Sequence, residues 1–337
     1  MPPAMRRAWM VLLLAGCGHG RNLSFPNEVH LRNIRQLTFG GENAEAYFSA
    51  DGRRIIFQST RGDLAADQIF TMNADGSDTR RVSSGRGRTT CGYFFPDGRF
   101  LYSSTHLAGA EPPPKPDYSR GYVWPVYASY DIFAGDARLT DAHGYDAEAT
   151  ISPDGSRIVF TSARDGDLEI YDMAADGSDQ RRLTRSPGYD GGAFYSPDGA
   201  LICFRALPIE DPNELIDFRR LLEEELVRPA RLEIFVMNAD GTNRRQVTRN
   251  GAANFCPFFH PDGKRIIFAG NQHDPKGRNF DLYLIDLDGG GLERVTFCDA
   301  FDGFPMFSPD GTKLVFCSNR FNAKPHETNV FIADWVE

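Results

Sequence analysis

Basic charge, long apolar runs and catalytic signatures are all scarce in this sequence. Lys and Arg number 37 against 46 Asp and Glu, a net charge of −9. That balance removes the electrostatic reason to expect nucleic acid or an anionic membrane surface as partner, and points to neutral or basic partners instead. The apolar run from Ala8 to Leu14 is too short to span a bilayer, which takes about 20 residues. There is no Gly-x-Ser-x-Gly elbow, no His-Glu-x-x-His, no Cys-x-x-Cys and no Walker-type glycine loop. Cysteine is sparse too: the five that follow Cys17 cannot all pair with one another, so at least one is a free thiol.

What is present supports a folded, exported protein. A 41% hydrophobic and 12% aromatic composition supplies a sizeable core for one large or two ordinary domains. Arg6 and Arg7, the apolar run and a small-residue stretch ending at Cys17 read as an export signal. Leu14-Ala15-Gly16-Cys17 resembles the lipobox of bacterial lipoproteins. The resemblance implies that Cys17 is acylated and anchors the chain, with 1–17 as signal peptide and 18–32 as linker, and Gly18 favours the outer membrane.

An internal repeat organises the rest. A turn occurs six times: Ala50-Asp51-Gly52, Pro96-Asp97-Gly98, Pro153-Asp154-Gly155, Pro197-Asp198-Gly199, Pro261-Asp262-Gly263 and Pro309-Asp310-Gly311. Each is followed by a short run apolar on both faces, such as "RIVFTS", then by a run such as "EIYDMAADG" that closes on a hairpin signal. A fourth, outer strand ends in Leu-Thr or a close variant. Four short antiparallel strands per unit and six units predict an all-β, six-bladed propeller over 33–337. The last unit stops after its third strand, and "NIRQLT" (Asn33 to Thr38) is a fourth strand with no unit before it, so the N-terminal strand is expected to close the ring. In the fourth blade, Asp211, Pro212 and Glu214 start a helix of about four turns with Leu215, Phe218, Leu222 and Leu226 on one face.

The repeats "FSPDGTKLVFCSNR" and "EIFVMNADGTNRRQVT" resemble the propeller of TolB and related periplasmic proteins (the WD40-like PD40 repeat). The resemblance implies a protein on the periplasmic side of the bacterial envelope that binds an envelope protein, peptide or glycan and touches the membrane only through a lipid anchor. The sequence departs from TolB in lacking the α/β domain before the propeller and in carrying a lipobox. The same blades serve peptidases and polyuronate lyases, so a metal-assisted polysaccharide lyase or hydrolase is the alternative to binding without catalysis.

The Pro-Asp-Gly turns recur because each blade needs the same hairpin. The opposite rim, made by interblade links and by loops between second and third strands, is where the units differ. There the second blade carries a Pro-rich insert with Tyr118, Tyr122, Trp124 and Tyr127 as candidate contacts. Seven residues before each Pro (Ala50 in the first blade) stand Asn43, Thr89, Asp146, Asp190, Asn254 and Asp302, with Glu45 and Glu148 two residues further in. As a ring near the channel mouth these oxygens suit either turn capping or a cation such as Ca²⁺ or another divalent ion, with Asp146, Asp190 and Asp302 as candidate metal ligands. His106, His143, His273 and His326 fall on that rim in blades on opposite sides of the ring. Their convergence would favour the enzyme and their separation the binding protein. Cys91 and Cys256 share a register in blades two and five, too far apart to bond.

Overall fold

The computed structural model describes residues 22–274, 277 and 279–337. Six four-stranded antiparallel sheets occupy 42–81, 89–138, 146–182, 190–246, 254–294 and 302–335, and the last takes its outer strand, Leu31–Gln36, from the N-terminal end. These are the six expected blades. The ring closes where Leu31 pairs with Trp335 and Gln36 with Phe331, the strand starting two residues before Asn33.

The third blade shows why the residues adopt this form. Its strands are Asp146–Ile151, Arg157–Ser162, Glu169–Ala174 and Arg181–Arg182. Ile158, Val159 and Phe160, consecutive in the second strand, are all buried, so both faces of the sheet lie against neighbouring blades. Each such side chain is worth about 1.5–3 kcal/mol when buried, so packing between blades is the main stabilising term. At the turn, Asp154 accepts from the Ser152 hydroxyl at 2.6 Å and the Ser156 amide at 3.0 Å. Those bonds hold its carboxyl down at about 2. In the second hairpin, Gly177 takes φ 89°, and a Cβ there would stand 2.8 Å from the carbonyl oxygen of Leu139 in the preceding blade. That glycine serves both the turn and the blade contact.

The Leu-Thr signal also acquires a physical role. Outer strands are two residues long in the first five blades, because the Thr or Ser ending each one offers its hydroxyl to the third strand. Ser83, Thr140, Thr184, Thr248 and Thr296 accept from the amides of Ile69, Ile132, Ile170, Ile234 and Leu282 at 2.8 to 2.9 Å. Thr38 does the same for Val330 at 2.9 Å across the closure.

Two expectations change. The helix runs Pro212–Glu223, capped by Asp211, and buries Phe218 and Leu221. Its 12 residues make a little over three turns rather than four. Glu225 at φ 58° ends it, so Leu226 leaves the helical face and begins the strand Leu226–Val227. Much of the expected linker is docked: Phe25 stacks on Phe321 at 5.2 Å, and buried Glu28 pairs with Arg320 at 2.9 Å. Residues 1–21, with the export signal and Cys17, lie outside the described residues. No helix among the described residues is long and apolar enough to cross a membrane.

Candidate binding site

Every inner strand contains the same irregularity. In the first blade the pairing shifts between Ala44 and Tyr47, so Glu45 and Ala46 oppose the single residue Phe57. The other five blades repeat this bulge at the equivalent place. Its first residue, Glu45, Cys91, Glu148, Gly192, Cys256 or Phe304, takes φ between 50° and 60°. For a non-glycine residue the left-handed region costs about 1–2 kcal/mol, and it persists only where the surroundings impose it. Bulges re-aim side chains, and all six of these residues line one cavity of about 1020 Å³ on the variable rim.

The cavity is a blind cup. Two residues beyond the bulge, Tyr47, Tyr93, Phe194 and Phe258 come from four different blades and meet at ring separations of 5.5 to 6.0 Å. Tyr47 and Phe194, from blades on opposite sides of the ring, touch edge to face at 5.5 Å. This aromatic plug floors the cup and closes the central channel.

One wall is built around Glu148. It accepts from Thr161 Oγ1 at 2.8 Å, Tyr189 Oη at 2.6 Å and the Gly192 amide at 3.1 Å, and it pairs with Arg205. Arg205 lies 5.3 Å from the centre of the Trp124 ring and 5.5 Å from that of Tyr189. The glycine pair makes this contact fit: a Cβ on Gly192 would collide with the Arg205 guanidinium, and one on Gly191 would stand 2.7 Å from Glu148 Oε2. Glu45, in the first blade, forms no ion pair among the described residues, and the Cys91 thiol beside it donates to Thr90 Oγ1 at 3.5 Å. Burial raises its carboxyl to about 7, with Glu148 adding to the shift and Arg205 opposing it. Burial and the two glutamates push the Cys91 thiol well up, so it is not a poised nucleophile.

The roof comes from two inserts about 100 residues apart. Trp124–Pro125 of the second blade pairs with Leu226–Val227 of the fourth, and the Val126 amide bonds the Glu225 carbonyl at 2.8 Å. Tyr127, Tyr130, Phe218 and Val227 form a small core beneath this bridge, over the third blade. From Trp124 an aromatic arc continues through Phe255, Phe280, Phe301 and Phe304 with successive centroids 5.2 to 6.0 Å apart.

Residues 227–326 match the family described as TolB beta propeller domain. A protein assigned as TolB from Agrobacterium tumefaciens is 17% identical with TM-score 0.52 over 88% of this chain and 91% of that one. TolB from Acinetobacter baumannii is 19% identical, also with TM-score 0.52, over 88% of this chain and 64% of that one. In fold this is a TolB-like β-propeller. Oligogalacturonate lyase from Vibrio parahaemolyticus aligns with it too, at 13% identity and TM-score 0.50 over 89% and 93%. At these identities the likeness fixes the fold and leaves function to the site.

Of the residues expected on this propeller's rim, Glu45, Glu148, Tyr122 and Trp124 line the cup. Tyr118 is exposed beside Tyr122, and Tyr127 is buried under the bridge. The oxygen-bearing ring turns into the blades instead. Asp146 pairs with Arg164 at 2.9 Å, Asp190 with Arg244 at 2.8 Å and Asp302 with Arg320 at 2.8 Å. Asn43 accepts from Arg61 at 2.6 Å, Thr89 meets Ser104 at 2.9 Å, and Asn254 donates to the Leu232 carbonyl at 2.8 Å. All six are buried and tied to these partners within their blades, with Asp190 Oδ2 and Asp302 Oδ1 left as buried oxygens without a hydrogen bond among the described residues. His106 bonds Ser104 and His273 bonds Tyr283, and none of the four rim histidines lines the cup. Among the described residues, no three of His, Cys, Asp and Glu stand close enough to hold a metal ion. Cys91, Cys203, Cys256, Cys298 and Cys317 are unpaired. Sequence reasoning missed Arg205 and the plug. Their signals were an Arg inside an otherwise apolar strand, "LICFRA", and an aromatic recurring two residues past the bulge.

Proposed function

We propose that this protein is a non-catalytic binding propeller on the periplasmic side of the bacterial envelope, tethered by acyl chains on Cys17, and that the cup at its mouth takes a short segment of a protein, peptide or glycan partner. One observation supports the reading most: a TolB-like ring whose channel is floored by an aromatic plug and roofed by two paired inserts, leaving a cavity of about 1020 Å³ with one aromatic and one polar wall. That combination suits a compact ligand held by apolar contact and oriented by a few polar groups. The alternative, metal-assisted cleavage of a polysaccharide at the same rim, needs histidines that converge, whereas His106 and His273 are bonded within their own blades and none of the four lines the cup.

The test is calorimetric titration of the full protein with short peptides and with oligosaccharides, including oligogalacturonates, before and after chelation. Saturable binding that is weakened by Trp124→Ala and unchanged by chelator is the expected result. Oligosaccharide turnover abolished by chelation would establish the alternative instead. Labelling with a radioactive fatty acid, lost in Cys17→Ser, checks the tether.

A further inference from the structure

The charges around the cup are mostly spent on one another. Arg205 is committed to Glu148. Asp67 accepts from Thr60 at 2.8 Å and faces Arg88 at 3.8 Å. Arg231 is held by Glu214. Glu45 is different: it faces the cavity from a left-handed bulge, beside the Cys91 thiol, and no cation pairs with it among the described residues. The aromatic arc, drawn from the fifth blade, the adjoining sixth and the insert of the second, lines the same cup, and its neighbouring rings are inclined to one another by 47° to 57°. Such a bowl presents several faces to one enclosed object. It offers no flat platform of the kind on which a sugar ring stacks.

A carboxylate without an ion pair that shares one cup with a bowl of π faces is complementary to an organic cation, which gains from both the opposite charge and the ring quadrupoles once water is displaced. The tilted rings favour a cation attached to a bulky apolar group. We infer that the cup captures the protonated amino terminus of a peptide, with the ammonium on Glu45 and the first side chain in the bowl formed by Trp124, Phe255, Phe280, Phe301 and Phe304. This rests on the cup being the binding site of the protein. It deepens that reading by naming the chemical group recognised.

The experiment titrates the full protein by calorimetry with Phe-Ala-Ala amide, with its N-acetylated form and with glucosamine, at pH 7.5 and 5.5. At pH 7.5 the α-ammonium, with a pKa of about 8, is largely protonated. Glu45, lifted to about 7 by burial and by Glu148 against the pull of Arg205, is largely ionised. Asp67, Cys91, Tyr47, Cys256 and Cys317 are the other titratable groups around it. Acetylation is expected to weaken binding at least about tenfold at pH 7.5, about 1.4 kcal/mol. The preference should shrink severalfold at pH 5.5, where Glu45 takes up a proton, and fall to within about twofold in Glu45→Gln. Should that variant not fold, the pH series on the wild-type protein decides alone. Equal binding of the free and acetylated peptides would overturn the ammonium assignment while leaving the cup as the site. Glucosamine binding that needs Glu45, without peptide binding, would overturn the peptide assignment. No binding of any probe that Trp124→Ala can weaken would remove the cup reading, and this inference with it.

Discussion

The two rims of this ring are made by the same six repeats and are stabilised in different ways. On the turn rim the polar groups of each Pro-Asp-Gly loop satisfy one another: Asp310 accepts from Ser308 and Thr312 within its own hairpin, and the neighbouring blade contributes packing, as Pro261 does beside Gly311. On the mouth rim bonds within blades are joined by bonds between them. Arg205 of the fourth blade completes Glu148 of the third, Arg320 joins Asp302 to Glu28 from the far end of the chain, and the roof pairs strands from the second and fourth blades. A rim built from self-contained turns tolerates change one blade at a time. One built from contacts between blades can form a cavity, and is exposed to single substitutions.

The sharpest way to break the contrast is Arg320→Leu. It leaves Glu28 and Asp302 with their buried carboxylates facing no cation. Removing one member of a buried ionic cluster costs about 3–5 kcal/mol, to be read as a lower midpoint in chemical denaturation, and it should loosen the closing strand first. Smaller, at about 2 kcal/mol, is Gly192→Ala, which combines an unfavourable positive φ with a collision against Arg205. It should abolish peptide binding in calorimetry at temperatures where far-ultraviolet circular dichroism shows the propeller intact.

A third test uses pH. Because burial lifts Glu45 from its ordinary 4.5 to about 7, the folded protein keeps a proton that the unfolded chain releases in that window. The contribution of this group to stability is therefore fully present below about pH 4.5, declines as pH rises to about 7, and is flat beyond. Unfolding free energies measured across this range should lose that downward slope in Glu45→Gln. The smallest effect belongs to the other rim: Asp310→Ala removes turn bonds at a solvent-exposed corner and should cost about 1 kcal/mol, with no change in ligand affinity. A loss of affinity there would mean that the two rims are not independent.

The fold was readable because its signals are local and repeated. Asp154 and Gly155 specify their turn wherever the chain goes next, Asp211 and Pro212 start a helix, and the unmatched strand before Thr38 announced the closure. The site was half readable. Glu45 and Glu148 were found as carboxylates two residues beyond a ring of oxygens, whereas the ring itself was misleading, since a residue that clamps a blade and one that faces a ligand share the same composition. The bulge residues Glu45, Cys91, Glu148, Gly192, Cys256 and Phe304 have no type in common, so no motif marks them.

The sequence by itself determined six blades, their order, the hairpins and the closure, because each depends on residues a few positions apart or on a register repeated six times. Only the tertiary structure decided that the channel is plugged, that the inserts of the second and fourth blades form one roof, and that Gly191 makes room for Glu148 and Gly192 for Arg205 rather than for a turn. Those outcomes depend on which side chains a closed ring brings face to face, and closure relates residues that no local pattern connects.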